Sequence, residues 1–280
     1  MKEFGMATTQ STPPCSVSRD GQFRAPDPQV PHSGVVAGQA RDIVSARPAS
    51  RHWHLFFTNA ALHAPDPARA VGYAHPRSFD VVAGMVRTLL RGTRSREILD
   101  VGCGHGIMSS WLTEDNRVYG IDFVTEMLRA AATRGIVPIQ ADAMQPPFPE
   151  KSFDVVMAVE IVQHMRDTAS FILLLAQLLK DDGVLLVVAP SSHSLQRRLY
   201  QFLSGIGLVG GTGQLRPALQ DPVLMANMLT RNGYVVQTAY TYFPFGRVVR
   251  DPSTSDRKRP WATDFAIIAR RRSRTVRGSD

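Results

Sequence analysis

From about residue 97 onward, short apolar runs alternate with amphipathic stretches. The runs near 97–101, 117–121, 137–141, 154–159 and 184–189 read as strands, and the stretches near 106–113, 125–133 and 169–180 read as helices. Such alternation predicts a parallel sheet covered by helices. Upstream, Val81, Val82, Met85, Val86, Leu89 and Leu90 recur at helical spacing, so residues 51–95 should supply a lid and the first helices. Downstream, a helix should open at Asp221 with Pro222 in its first position. It would pair Leu224 with Met228 and Met225 with Leu229 at i, i+4, and stop at Gly233. Two further strands, Tyr234 to Tyr242 and Thr263 to Ala269, bring the count to seven. Residues 191–220 interrupt the alternation, with Tyr200, Phe202, Leu203, Ile206 and Leu208 set among five glycines. Residues 1–50 are rich in Ser, Thr, Pro, Gln and Gly without apolar periodicity, which predicts a disordered segment.

Composition narrows the class without naming a chemistry. The chain has 280 residues with 44% hydrophobic content, enough for a full core. Its two cysteines, Cys15 and Cys103, fall in the N-terminal segment and in a glycine turn, so a structural disulfide is not expected and a reducing, cytoplasmic setting is. No apolar run has the ~18 residues of a membrane span, and the first residues lack the apolar core of a secretory signal. The net charge is +8, but ten Arg or Lys against four Asp or Glu between Arg247 and Asp280 supply 10 − 4 = +6 of it. The basic tail 273–280 is either solvated or a weak patch for an anionic membrane surface or RNA.

The candidate chemistry begins at Ile98-Leu99-Asp100-Val101-Gly102-Cys103-Gly104-His105-Gly106. An apolar strand that runs into three alternating glycines lets a ligand lie against bare backbone amides. Sixteen residues after Gly106, the run Val118 to Ile121 ends in Asp122, where a doubly wound fold presents a carboxylate to ribose hydroxyls. Position 107 is Ile, so the third glycine of the dinucleotide fingerprint is missing. Alternatives stay open at each position: Asp122 as a cap for the helix near Thr125, Asp142 as a strand terminator before Pro146 and Pro147, Met127 and Leu128 as plain core, and Cys103 as a small packing residue.

In these motifs the chain resembles class I S-adenosylmethionine (SAM)-dependent methyltransferases, in the small-molecule branch that includes ubiquinone and menaquinone biosynthesis methyltransferases, over roughly residues 73–272. The resemblance implies an α/β, Rossmann-like, seven-stranded and mostly parallel sheet with helices on both faces and one antiparallel strand. It implies a methyltransferase domain over 96–272, with 191–220 as an insertion that covers the substrate. It also implies SAM as co-substrate, held by Asp100, Gly102, Cys103, Gly104, Asp122, Phe123, Met127, Asp142, Ala143 and Glu160.

The segment Glu160-Ile161-Val162-Gln163-His164 resembles the family's E-x-x-E-H, with Gln163 in place of the second acid that helps to bind a metal in quinone O-methyltransferases, so no metal is expected. His164, just past the fourth strand, is the candidate general base, with a structural role as its alternative and His193 as a second candidate. The position that reads [DN]-P-P-[YF] in amine methyltransferases reads Val159-Glu160-Ile161-Val162 here. The function expected is methyl transfer from SAM to oxygen or carbon of a small aromatic or apolar metabolite. The alternatives are an RNA or protein methyltransferase that uses the basic tail and a non-catalytic SAM-binding regulatory module.

Overall fold

The computed structural model describes residues 55–60, 76–208, 218–242, 247–251 and 259–272. The sequence expectations for 1–50, for 209–217 of the insertion and for the tail 273–280 lie outside the described residues. A short helical segment at 55–60 comes first. The order is then α1 (Pro76–Leu89), β1 (Glu97–Val101), β2 (Arg117–Asp122), α2 (Thr125–Ala132), β3 (Val137–Gln140), β4 (Phe153–Val159), α3 (Thr168–Gln177), β5 (Leu179–Pro190), α4 (Leu195–Gly205), α5 (Pro222–Arg231), β6 (Tyr234–Tyr242), β7 (Arg247–Asp251) and β8 (Asp264–Arg271).

The strands form one sheet in the order β3-β2-β1-β4-β5-β8-β6-β7. Strands β1 to β5 are mutually parallel, with Val101 beside Ile121 and Leu99 beside Val156. Strand β8 enters antiparallel between β5 and β6. The seven expected strands are all present, and β7 adds an eighth at the edge, antiparallel to β6.

Side chains on successive strand residues point to opposite faces, so adjacent residues divide between two cores. Leu99, Val101, Val156 and Phe265 pack with Phe171 and Leu175 of α3 and with Met225 and Leu229 of α5. On the other face, Ile98, Val155, Met157 and Leu186 pack with Val82, Met85 and Val86 of α1 and with Leu128 and Ala131 of α2. Helices therefore cover both faces, as the apolar spacing predicted.

Two local expectations need correction. The stretch 106–113 forms turns and a short 3-10 helix, Ser110–Leu112, instead of an α-helix. Its carbonyls are claimed by side chains: the Trp111 indole donates to Met108 O at 2.9 Å, Thr113 Oγ1 to Ser110 O at 2.7 Å, and Asn116 Nδ2 to Leu112 O at 2.9 Å. The strand expected near 184–189 starts earlier than that, and the helix expected near 169–180 ends sooner. Helix α3 stops at Gln177, and β5 already begins at Leu179, which pairs with Phe153 before the register shifts to Val155 and Val184.

Candidate functional site

Because β1 to β5 run parallel, their carboxyl ends share one edge of the sheet, the edge where open α/β folds place ligands. The glycine turn leaves β1 there, and Gly102, Gly104 and Gly106 all take positive φ, at 69°, 51° and 74°. The strict need for glycine differs along the turn. A Cβ on Gly102 would collide with the Ile161 side chain, and one on Gly106 with Ile136 and Ala131. The N–H of Gly104 instead donates to Asp122 Oδ2 at 2.9 Å, while Asp122 Oδ1 accepts from Val124 N at 2.9 Å. Asp122 thus ties the turn to the exit of β2.

Several predicted residues stand elsewhere than at the ligand face. Asp100 is buried under the turn, where Ser109 Oγ donates to its Oδ2 at 2.5 Å; burial and then the neighbouring Asp122 charge push its carboxyl up to about 7. Cys103 is also buried, with its thiol raised by burial, and its Sγ packs where a Cβ on Gly120 would sit. Met127 lies 2% exposed in a small cluster with Val124, flanked by Phe57 and Phe123. Asp142 is exposed, and its Oδ1 accepts from Met144 N at 2.9 Å in a local turn. Ala143 is half-buried against the core. Of the residues assigned to the cofactor, the structure groups Gly102, Gly104, Asp122 and Phe123 at one edge. It sets Asp100, Cys103 and Met127 behind them as supports.

The exit of β4 supplies the second half of the site. Glu160 takes a left-handed backbone conformation, φ 57°, which is unusual for a residue with a side chain. Its Oε2 accepts from Gln163 Nε2 at 2.8 Å, and its Oε1 finds no hydrogen-bond partner among the described residues. Burial, followed by the charge of Asp264, pushes Glu160 up to about 8 against the opposing pull of Arg197. Position 163 therefore does hold its polar side chain against the first acid of the motif, as an amide donor in place of a carboxylate. His164 closes a 3-10 turn, Val162–His164, and burial pushes its imidazole down to about 4.

Sequence reasoning placed residues 51–95 as a lid without singling out Phe57, which joins the two halves. Its ring stands edge-on to Phe123 at 6.3 Å and to His164 at 5.4 Å between centroids. The signal in the sequence is the aromatic pair Phe56-Phe57 ahead of the first helix. A second missed feature is the segment 218–221. The N–H of Ala218 donates to Gln163 O at 3.3 Å, Ser192 N donates to Gln220 O at 2.8 Å, and His193 Nε2 stands 3.2 Å from Asp221 Oδ2. This segment stitches the β4 exit to the β5 exit and holds His193 beside them.

A cleft of about 470 Å³ opens at the opposite, amino-terminal edge, lined by Arg96, Glu97, Glu114, Asn116 and Arg117 among others. It lies away from the glycine turn, Glu160 and His164, so the carboxyl edge remains the site. Among the described residues, no group of three or more His, Cys, Asp or Glu side chains is placed to hold a metal ion.

Comparison with known proteins agrees with this geometry. Residues 99–187 match the family model described as a methyltransferase domain. The ubiquinone biosynthesis O-methyltransferase of Salmonella paratyphi A is 33% identical over 143 residues, which cover 48% of this chain and 54% of that protein. The chain thus spans about half the length of that curated relative. Among solved structures, magnesium protoporphyrin IX methyltransferase from Synechocystis with bound SAH superposes with a TM-score of 0.57 at 18% identity, over 79% of this chain and 99% of that one. A SAM-dependent methyltransferase from Archaeoglobus fulgidus superposes with a TM-score of 0.52 at 19% identity, over 69% and 93%.

Proposed function

We propose that this chain, which carries a class I SAM-dependent methyltransferase domain, transfers a methyl group from SAM to an oxygen or carbon of a small aromatic or apolar acceptor. The observation that carries this reading is the three-glycine turn fastened by Asp122, packed at Gly102 against Ile161 of the β4 exit, where the half-buried Glu160 and His164 stand. The residues fit the group: positive-φ glycines leave the turn bare, Asp122 sets a carboxylate at the strand exit where such folds hold ribose hydroxyls, and Phe123 and Phe57 offer an aromatic flank. Gly102, Gly104, Asp122 and Phe123 would hold SAM, which supplies an already activated methyl group.

What remains for the chain is to position, to exclude water and to handle one proton. Proximity of the kind a closed site provides is worth roughly 7–11 kcal/mol in favourable cases. His164 is neutral at pH 7 because burial lowers it, so it can accept a hydrogen bond from an acceptor hydroxyl and take its proton as the methyl is transferred. Burial pushes Glu160 up to about 8, which favours its uncharged form on the acceptor side. Both features suit an apolar, neutral acceptor.

The test is a methyl-transfer screen with labelled SAM over quinol precursors, phenols and fatty acids, followed by His164→Ala on the best acceptor. The variant should lose about 10²–10⁴-fold in kcat while SAM affinity stays within a few-fold. The loss should shrink as the phenol becomes more acidic, because an ionised acceptor needs no base. A constant ratio across phenols would make His164 a positioning residue.

A further inference from the structure

Phe57 makes a contact that the order of the strands does not provide by itself. Phe123 follows β2 and His164 follows β4, and β1 lies between those two strands in the sheet. Neighbouring strands stand about 4.8 Å apart, so roughly 10 Å separates the two exits. The glycine turn leaves β1 in that gap. Phe57 nevertheless stands within aromatic contact of both flanks, 6.3 Å from the Phe123 ring and 5.4 Å from the His164 ring, each edge-on. Its ring therefore bridges the two sides of the turn.

Both ends of this bridge are tied to the frame of the site. On the β2 side, Phe57 and Phe123 pack against Val124 and Met127, and Val124 N is the donor to Asp122 Oδ1. On the β4 side, His164 closes the turn that follows Ile161, whose side chain lies where a Cβ on Gly102 would stand. The segment that carries Phe57 is short. Residues 55–60 make fewer than two helical turns, too few to be stable alone, so packing decides where they lie. An aromatic edge against the imidazole also keeps water from that side of it, in keeping with the burial that pushes His164 down to about 4.

We infer, on the reading that SAM binds at the glycine turn, that Phe57 is a positioning residue for His164 and ties it to the cofactor half of the site. A ligand that settles on the turn beside Phe123 holds Phe57 down, and Phe57 holds the imidazole in place and dry. The coupling runs both ways: whatever loosens Phe57 frees both flanks.

Carbethoxylation of His164 by diethyl pyrocarbonate, followed in the full chain by peptide mass spectrometry, tests this with S-adenosylhomocysteine as the ligand. Calorimetry sets the saturating concentration for each protein, and circular dichroism verifies its fold. In wild type, saturating ligand should slow the modification of His164 about fivefold or more. Phe57→Ala should react faster than wild type without ligand, and saturating ligand should slow it by less than about twofold. Phe57→Tyr, which keeps the ring, should restore the protection. Phe57→Leu, which keeps apolar bulk without the ring, takes the place of Phe57→Ala if that variant unfolds or cannot be saturated. A wild-type chain that binds no S-adenosylhomocysteine removes the reading of the turn and the coupling with it. Binding that leaves His164 unprotected in wild type, or equal protection with and without the ring, keeps the reading of the turn and overturns the role of Phe57.

Discussion

At the scale of single residues, Glu160 states the most about how this site is built. A side chain with an unpartnered oxygen, on a left-handed backbone and out of water, is costly for the fold to keep. Its protonation gives the cost a sign. The folded protein holds the proton to about pH 8, whereas an unfolded chain releases it near the ordinary value of 4.5. The folded state is therefore favoured in full below the unfolded pKa, and that contribution is lost as pH rises towards 8. Glu160→Gln should abolish this loss: thermal unfolding between about pH 5 and pH 9 should show the variant gaining on wild type by an amount of order 1 kcal/mol or more. Parallel curves would place Glu160 in water and ionised at neutral pH. The sequence shows Glu160 as a member of a motif but not its backbone strain, because φ at this position follows from how β4 meets the 3-10 turn. Asp122 was legible from its place at a strand end. Cys103 and Met127 were legible as packing residues, the alternative the sequence left open for each, whereas Asp100 was legible as a motif member but not as a buried support, since burial depends on which neighbours close over it.

At the scale of elements, α5 shows what local chemistry can fix. Asp221 precedes Pro222, and its Oδ1 accepts from Val223 N at 2.9 Å and Leu224 N at 3.1 Å. Asp221→Ala should cost about 1 kcal/mol in thermal or denaturant unfolding, while Asp221→Asn, an equally good cap, should cost only a few tenths. Equal losses from both would assign the effect to the contact with His193 instead of the cap. Caps, prolines and glycines act within a few residues, which is why this helix was readable in advance. The 3-10 turn after Gly106 and the early start of β5 were not, because they depend on contacts between distant segments, such as the pairing of Leu179 with Phe153. The resemblance implied that 191–220, which holds α4, covers the substrate. How α4 sits on the body is set by Arg197 and Asp264, 67 residues apart, a relation that no local pattern carries.

For the whole molecule, the alternation of strand and helix was enough to give the sheet and its two covered faces, and the parallel order then places every relevant loop on one edge. What the alternation does not contain is β7, the eighth strand, which lies at the rim beside β6 and takes no part in that edge. The excess positive charge, concentrated after Arg247, likewise has little bearing on the edge that holds the glycine turn. The central claim is that this edge binds SAM through the turn that Asp122 fastens. Calorimetric titration of SAM into wild type and into Asp122→Ala, with circular dichroism to verify the fold of each, tests it most directly. Wild type should show saturable single-site binding, and the variant should bind about 10–100-fold more weakly, since hydrogen bonds to a charged group contribute roughly 1.5–3 kcal/mol. A wild-type chain that takes up no SAM, or a folded variant with unchanged affinity, would contradict it.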